Sequence, residues 1–201
     1  MATETSPPGT RDRLIAAMLD ALSTRGYYGI GLNELLANAG APKGVLYHHF
    51  PGGKAELAMA AVATVGDQLG ATLDKVLART GGDPVAAITA WMAAAQKLLA
   101  TSGFERGCPL ATVALETTPE DLALRAALAD GFASFRSRLA AVLATAGVAE
   151  EKAASLAALI VSAYEGALLQ ARVAGNVQAM QDTASALIDL VRLHLPTPKA
   201  P

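Results

Sequence analysis

Gly-Leu-Asn-Glu-Leu-Leu-Ala-Asn-Ala-Gly-Ala-Pro-Lys-Gly-Val-Leu-Tyr-His-His-Phe-Pro-Gly-Gly-Lys, residues 31–54, is the stretch that decides the fold. From Leu32 to Ala39 the apolar residues Leu32, Leu35, Leu36 and Ala39 recur at helical spacing and form one stripe. Gly40 follows as a residue able to take positive φ and close that helix. Pro42 suits a first helical turn, where the N–H it lacks has no partner to lose. A second helix from Lys43 to Phe50 then buries Leu46 and Phe50. Two short helices around a glycine-bearing turn make a helix-turn-helix, whose second helix lies in the DNA major groove. The spacing by itself fits a helical hairpin inside an all-α core equally well.

The outward residues of the second helix have the chemistry for DNA. Lys43 reaches a phosphate or a guanine edge, and the helix N-terminus attracts phosphate. Gly44 lets the backbone come close, Val45 meets a thymine methyl, and Tyr47, His48 and His49 donate to phosphate oxygens. Lys54, opening the next helix, is placed to clamp a phosphate. Asn33, on the first helix, and Pro42 belong to the same expected DNA-facing set.

Residues 33–50, Asn-Glu-Leu-Leu-Ala-Asn-Ala-Gly-Ala-Pro-Lys-Gly-Val-Leu-Tyr-His-His-Phe, closely resemble the DNA-binding domain of TetR-type transcriptional regulators. That pattern has an acidic residue, Ala-Gly-Val-Ser-x-Gly-x-Leu-Tyr-x-His-Phe and a following lysine. Glu34, Ala39, Gly40, Gly44, Leu46, Tyr47, His49, Phe50 and Lys54 fall on it. The resemblance implies operator contacts from Lys43, Tyr47, His48 and Lys54. Three features depart from the pattern: Gly31 replaces the usual Ser/Thr cap, Ala41-Pro42 replaces Val-Ser, and Phe-Pro-Gly-Gly-Lys is one residue longer. The longer turn leaves the position of Lys54 open. Together with Gly-Cys-Pro-Leu-Ala-Thr-Val-Ala-Leu-Glu at 107–116, these departures resemble the branch of lincomycin-resistance and flavonoid-responsive repressors.

The resemblance implies an all-α protein of about nine helices. An N-terminal three-helix helix-turn-helix domain is followed by a helical-bundle domain for ligand binding and dimerisation. The expected division is a disordered arm at 1–9, the DNA-binding domain at 10–55 and the sensing and dimerisation domain at 56–201. Composition agrees with the class: 52% of residues are apolar and only 4% aromatic, which favours a large helical core. Residues 1–55 carry Arg11, Arg13, Arg25, Lys43 and Lys54 against Glu4, Asp12, Asp20 and Glu34, about +1 within a chain of −2. That is a weak electrostatic footprint for a DNA binder, and a dimer would double it. The single cysteine, Cys108, excludes an internal disulfide and fits a reducing cytosol. With no signal-like start and no apolar run of membrane-spanning length, the expected location is cytoplasmic, with no membrane partner.

Along the chain, Thr10 is the expected N-cap of a helix from Arg11 to Arg25. A long helix from Lys54 to about Arg79 links the two expected domains, with Gly66 and Gly70 marking either close packing against a neighbour or a weak point where ligand-driven movement passes to the DNA-binding end. Asp83-Pro84 opens a helix to about Ala100, and Cys108-Pro109 a short one to Thr117. Thr118 caps one to about Ala146. Helices at Glu150–Ala174 and from Gln178 to Leu195 close the chain. Their stripes, Ala153, Leu156, Ala157, Ile160, Tyr164, Ala167 and Leu168 on one and Met180, Ala184, Leu187, Ile188, Val191 and Leu195 on the other, serve a dimer interface or a monomer core. Dimerisation through these two helices is implied by the resemblance.

Catalytic and metal constellations do not emerge. His48 and His49 point about 100° apart on a helix, and Gly52-Gly53-Lys54 lacks the first glycine and the Ser/Thr of a phosphate loop. No enzyme activity, cofactor or metal is therefore expected. Sensing is the expected second task, with Trp91, Gln96, Phe104, Cys108, Phe132, Phe135, Tyr164 and Glu165 as candidate ligand-binding residues. Glu116 and Gln170 are further polar candidates. The expected effector is an apolar or aromatic small molecule. The reading is a homodimeric regulator, a repressor released from a palindromic double-stranded operator by its effector. The alternative is a small-molecule-binding helical protein with vestigial DNA binding.

Overall fold

A computed structural model describes residues 9–196, so the expected arm lies outside it except for Gly9. The described residues form nine helices and no strand: α1 (Thr10–Thr24), α2 (Leu32–Asn38), α3 (Lys43–His49), α4 (Gly53–Arg79), α5 (Pro84–Thr101), α6 (Pro109–Glu116), α7 (Leu122–Thr145), α8 (Glu150–Ala174) and α9 (Gln178–His194). The all-α architecture matches the sequence expectation, and the differences are local. Thr10 is already helical, and Gly9 takes the N-cap position with no side-chain bond. Thr10 Oγ1 instead accepts from Arg13. α7 starts four residues later than Thr118. The Asp121 carboxylate accepts from the Thr118 N–H at 2.8 Å and its hydroxyl at 3.0 Å, a local turn that competes with helix. Asp83 behaves as expected, its Oδ1 accepting from Val85 N at 2.8 Å and Ala86 N at 3.2 Å above Pro84.

Two hydrophobic clusters share α4. The first packs Leu14, Met18 and Leu22 of α1 against Leu35, Leu46 and Phe50, and continues along α4 through Leu57, Val62 and Val65. It also recruits Leu110 and Val113 of α6 and Leu124 and Leu128 of α7. The second gathers Leu73, Ile88, Trp91, Met92, Phe135, Leu139 and the inner faces of α8 and α9. The boundary expected near residue 55 is therefore no break in packing, because the first cluster extends ten residues beyond it into α4. Gly66 packs as expected, lying against Gly131 and Ser134 of α7. Gly131 is the tighter position: a Cβ there would sit 3.3 Å from Leu110, so its absence lets α4, α6 and α7 close on one another.

α8 is long and apolar enough to cross a membrane by length and composition, contrary to the sequence expectation. Ala153, Leu156, Ala157, Ile160, Val161 and Leu168 are buried inside the second cluster, and a core helix passes the same test. The stripes of α8 and α9 are thus consumed within one chain. What α8 and α9 leave outside is Leu159, Leu169, Val173 and Leu193, the last two about four-fifths exposed at 83% and 78%.

Trp91, Phe135 and Tyr164, expected around a ligand, are packed on one another. The Trp91 ring lies 5.4 Å from Phe135 and 4.6 Å from Tyr164, and all three are buried. Such rings contribute through apolar burial and ring contact. Trp91→Ala should therefore destabilise the protein by about 3–5 kcal/mol. Urea unfolding at fixed protein concentration measures this, and a cost near zero would place Trp91 against a cavity rather than a packed core.

Candidate nucleic-acid interface and effector cleft

α2 and α3 are held at a fixed angle by backbone bonds and by the core beneath them. Gly40 takes φ +56°, and Ala41 N donates to Leu36 O at 3.0 Å, closing the turn. Pro42 supplies an extended N-cap, its carbonyl accepting from Val45 N at 3.0 Å. Leu46 and Phe50 are buried, while Pro42, Lys43, Gly44, Tyr47 and His48 are exposed and Val45 is half-buried. Asn33 is exposed on α2. A Cβ at Gly44 would meet nothing within 4 Å, so no packing inside the chain demands glycine there. The extra glycine of the following turn has a definite job. Gly53 takes φ +67° against the Tyr47 ring, and Gly52 N donates to Glu56 at 2.7 Å as α4 begins.

Most cations of this head are engaged. Arg11 lies over the Phe50 ring at 5.3 Å, Arg13 donates to Ala39 O at 3.2 Å, and Arg25 pairs with Glu34. Lys54, expected on a phosphate, is turned inward. Its ammonium donates to Tyr27 O at 2.6 Å and Ile30 O at 2.7 Å and stands 4.5 Å from the Tyr27 ring centre. Burial lowers its pKa, and the Glu116 carboxylate opposes that shift. Lys43 is exposed, with no hydrogen bond or ion pair among the described residues.

The C-terminal end of α1 is gripped by residues far away in sequence. Glu116, the last residue of α6, accepts from Tyr27 N, and the Tyr28 hydroxyl donates to Asp121 at 3.1 Å. Gly107 N donates to Ser23 O at 2.7 Å, Arg106 to Asp20 at 2.6 Å, and Arg172 of α8 to Thr24 O at 3.2 Å. Phe104 stands in this connecting loop at φ +63°, the one non-glycine with positive φ among the described residues. An aromatic residue held there stores local strain that surrounding contacts must offset. Glu116, a polar pocket candidate from sequence, thus serves the junction. Gln170 is exposed and donates to Gly166 O on its own helix.

A cleft of about 390 Å³ lies directly behind this junction, between α6 and α8. Cys108, Phe132 and Glu165, three of the sequence candidates, line it together with Thr112, Leu115, Leu168 and Arg172. Gln96 sits half-buried on α5 and is not in the lining, and Phe104 borders an adjoining surface groove that shares Leu169 and Arg172 with the cleft. Burial and the neighbouring Glu165 push the Cys108 thiol pKa up, which keeps it protonated and a poor nucleophile. Sequence reading missed Leu115, Leu168 and Arg172. Nothing in an amphipathic pattern distinguishes a residue beside a cleft from one beside another helix.

Residues 14–61 match the family described as bacterial regulatory proteins, tetR family, and residues 84–186 match the LmrA/YxaF-like C-terminal domain of transcriptional regulators. The chain is 29% identical over 184 residues to the HTH-type transcriptional regulator LmrA of Bacillus subtilis, covering 91% of this chain and 97% of that protein. It is 32% identical over 165 residues to the HTH-type regulator YxaF of the same organism, covering 82% and 86%. Among solved structures, the regulatory protein TetR from Rhodobacter sphaeroides is similar at a TM-score of 0.78 and 26% identity, covering 90% of this chain and 97% of that one. A TetR regulator from Legionella pneumophila shares the fold at a TM-score of 0.79 and 21% identity, covering 96% and 100%.

The inward ammonium of Lys54 has a direct consequence for stability. Lys54→Met keeps the stem but removes the donor from two carbonyls, and should cost about 1–3 kcal/mol. Chemical denaturation beside the wild type checks this, and an unchanged midpoint would show that the two bonds contribute nothing.

Proposed function

The chain belongs to the TetR family of bacterial regulatory proteins and is a DNA-binding transcriptional regulator, and from that premise we propose that it is a homodimeric repressor that leaves a palindromic operator when an apolar small molecule enters the α6–α8 cleft. The observation that carries the DNA half is the division of α3. Its inner side is fixed by Leu46, while Lys43, Gly44, Tyr47 and His48 are presented outward with no packing role that explains them all. Pro42 and Val45 flank the same surface and Asn33 extends it onto α2. Lys54 acts in this reading by positioning: its two bonds fix the loop before α2 and hence the angle of the reading head.

The dimer rests on family membership and on the outer apolar residues of α8 and α9, among them Leu159, Val173 and Leu193. A two-fold protein reads two half-sites about one helical turn apart and doubles the contacts that Lys43 and its neighbours on α3 can make. For the effector half, the support is the place of the cleft. α6 forms one wall of it and also ends in Glu116, which holds the start of the Tyr27 turn. A molecule wedged between α6 and α8 therefore acts on the contacts that set the head's orientation. The two recognition helices then no longer match successive major grooves, which is a coupling free energy between two sites. In this reading the protein works in the cytoplasm, where its operator is. The internal engagement of Arg11, Arg13, Arg25 and Lys54 favours one second reading, a ligand-binding protein whose DNA affinity has decayed.

Fluorescence-anisotropy titration against duplexes tiling the DNA upstream of its own gene, with random-sequence selection beside it, separates the two. Saturable binding to a symmetric site supports the repressor, and uniformly weak binding everywhere supports the decayed one. On a bound duplex, Lys43→Ala should lower the salt slope by about 0.9 for each phosphate it leaves unneutralised, across all sequences alike. Gly44→Ala should behave oppositely on fold and function. It should stabilise α3 by about 0.5–1 kcal/mol while weakening DNA binding, because the added methyl has room in the chain but not against a base. Unaltered affinity in Gly44→Ala would remove close backbone approach from the account.

A further inference from the structure

The α6–α8 cleft contains a polar atom that the rest of the chain leaves unanswered. Glu165 Oε2 is buried without a hydrogen-bond partner among the described residues. The groups that face its carboxyl are few. The Cys108 thiol at the start of α6 bonds to it, and Tyr164 adjoins it on α8. Arg172 lines the same cleft but lies seven residues on, about 10 Å along the helix axis, and donates to Thr24 O instead. α7 contributes only the apolar Phe132 to the lining. Ala111, Ala114, Leu115, Leu168 and Leu169 complete largely apolar walls. Burial, opposed by the Cys108 bond, raises Glu165 to about 7, so the carboxyl stands at the edge of ionisation at neutral pH with no cation paired to it among the described residues.

We propose that this cleft selects an apolar molecule carrying one basic amine, whose ammonium pairs with Glu165 while its body lies along α6 and α8. The proposal rests on the cleft being the effector site and names the chemistry that the site takes. A hydroxyl on the same body satisfies the hydrogen bond of Oε2 but leaves the charge unanswered. A carboxylate on it is repelled. Buried charges are retained where they are paired, and an ammonium supplies both the donor and the counter-charge.

The sign of the pH dependence follows from the free protein. Below pH about 7 the free carboxyl is protonated and must lose its proton to pair with an ammonium. Amine affinity is therefore constant above that pH and falls by about tenfold for each unit below it, while the alcohol shows no such loss. The amine itself remains protonated throughout, its pKa lying near the ordinary alkylammonium value of about 10.

The test is isothermal titration calorimetry of the full-length protein with 4-phenylbutylamine, 4-phenylbutanol and 4-phenylbutyrate, which share one apolar body. At pH 8 the amine should bind at least about tenfold tighter than the alcohol, and the butyrate most weakly. Glu165→Gln, of nearly the same shape, should bring the amine to within about twofold of the alcohol. Alcohol binding as tight as the amine, or a preference that survives Glu165→Gln, overturns the amine and leaves the cleft standing. If none of the three binds the wild type, and none binds Glu165→Leu with its fully apolar lining, the cleft as effector site falls together with the amine.

Discussion

The bond from the Tyr27 N–H to the Glu116 carboxylate is the contact through which two distant parts of the chain set one another's position. It exists because the end of α1 makes a turn that only glycine takes easily. Gly26 adopts φ +80°, and a Cβ there would overlap the Glu116 carboxylate. The same carboxylate lies close enough to the Lys54 ammonium to favour its charge, and Lys54 in turn holds the carbonyls of Tyr27 and Ile30. One acidic side chain at the end of α6 thus fixes the turn that leads into α2 and α3. The opposing effect on Lys54 is burial, which lowers its pKa, so the cluster is a balance between desolvation and charge.

Around that contact one helix, α4, is shared by both hydrophobic cores. α4 runs from the head core, where Leu57 and Val62 are buried, to the second core, where Leu73 is buried. Gly66 and Gly131 bring α4 and α7 together, and Leu110 of α6 presses on Gly131 at the same point. Well-packed interiors transmit displacement and do not absorb it, because they have little free volume. α6, which walls the cleft, thus meets α1 through Glu116 and α4 and α7 through Leu110. The salt bridge of Arg138 with Asp74 also joins α7 to α4, but both side chains are half exposed and such a pair contributes little.

The fold class was legible because its signals are local and repeated. Helical stripes, the Asp83-Pro84 cap and the glycines at 40, 147 and 175 each report on a few neighbouring residues, and α8 ends where Gly175 takes φ +65°. The recognition helix was legible for the same reason, since Lys43 to Phe50 is one continuous segment. The start of α7 was misread because Asp121 uses its carboxylate on Thr118 and not on the next helical turn. The internal bonds of Lys54 were not legible because its partners, Tyr27 and Ile30, lie more than twenty residues away and offer only backbone carbonyls, which no side-chain pattern records. The aromatic candidates divide: Trp91, Phe135 and Tyr164 pack in the core, while Phe132 lines the cleft. Large apolar side chains are equally suited to both places, and only the distances between helices decide.

The most direct measurement is the operator affinity of Glu116→Ala beside the wild type, by anisotropy titration on a symmetric duplex recovered by selection. Glu116 lies on α6 and reaches the head at the Tyr27 turn and the neighbouring Lys54 ammonium, so its loss should leave the outward side chains of α3 in place. The account predicts a loss of about tenfold in affinity, about 1.4 kcal/mol, with an unchanged salt slope and an intact helical circular-dichroism spectrum. Wild-type affinity in the folded variant would contradict it, because the head would then hold its angle without the junction.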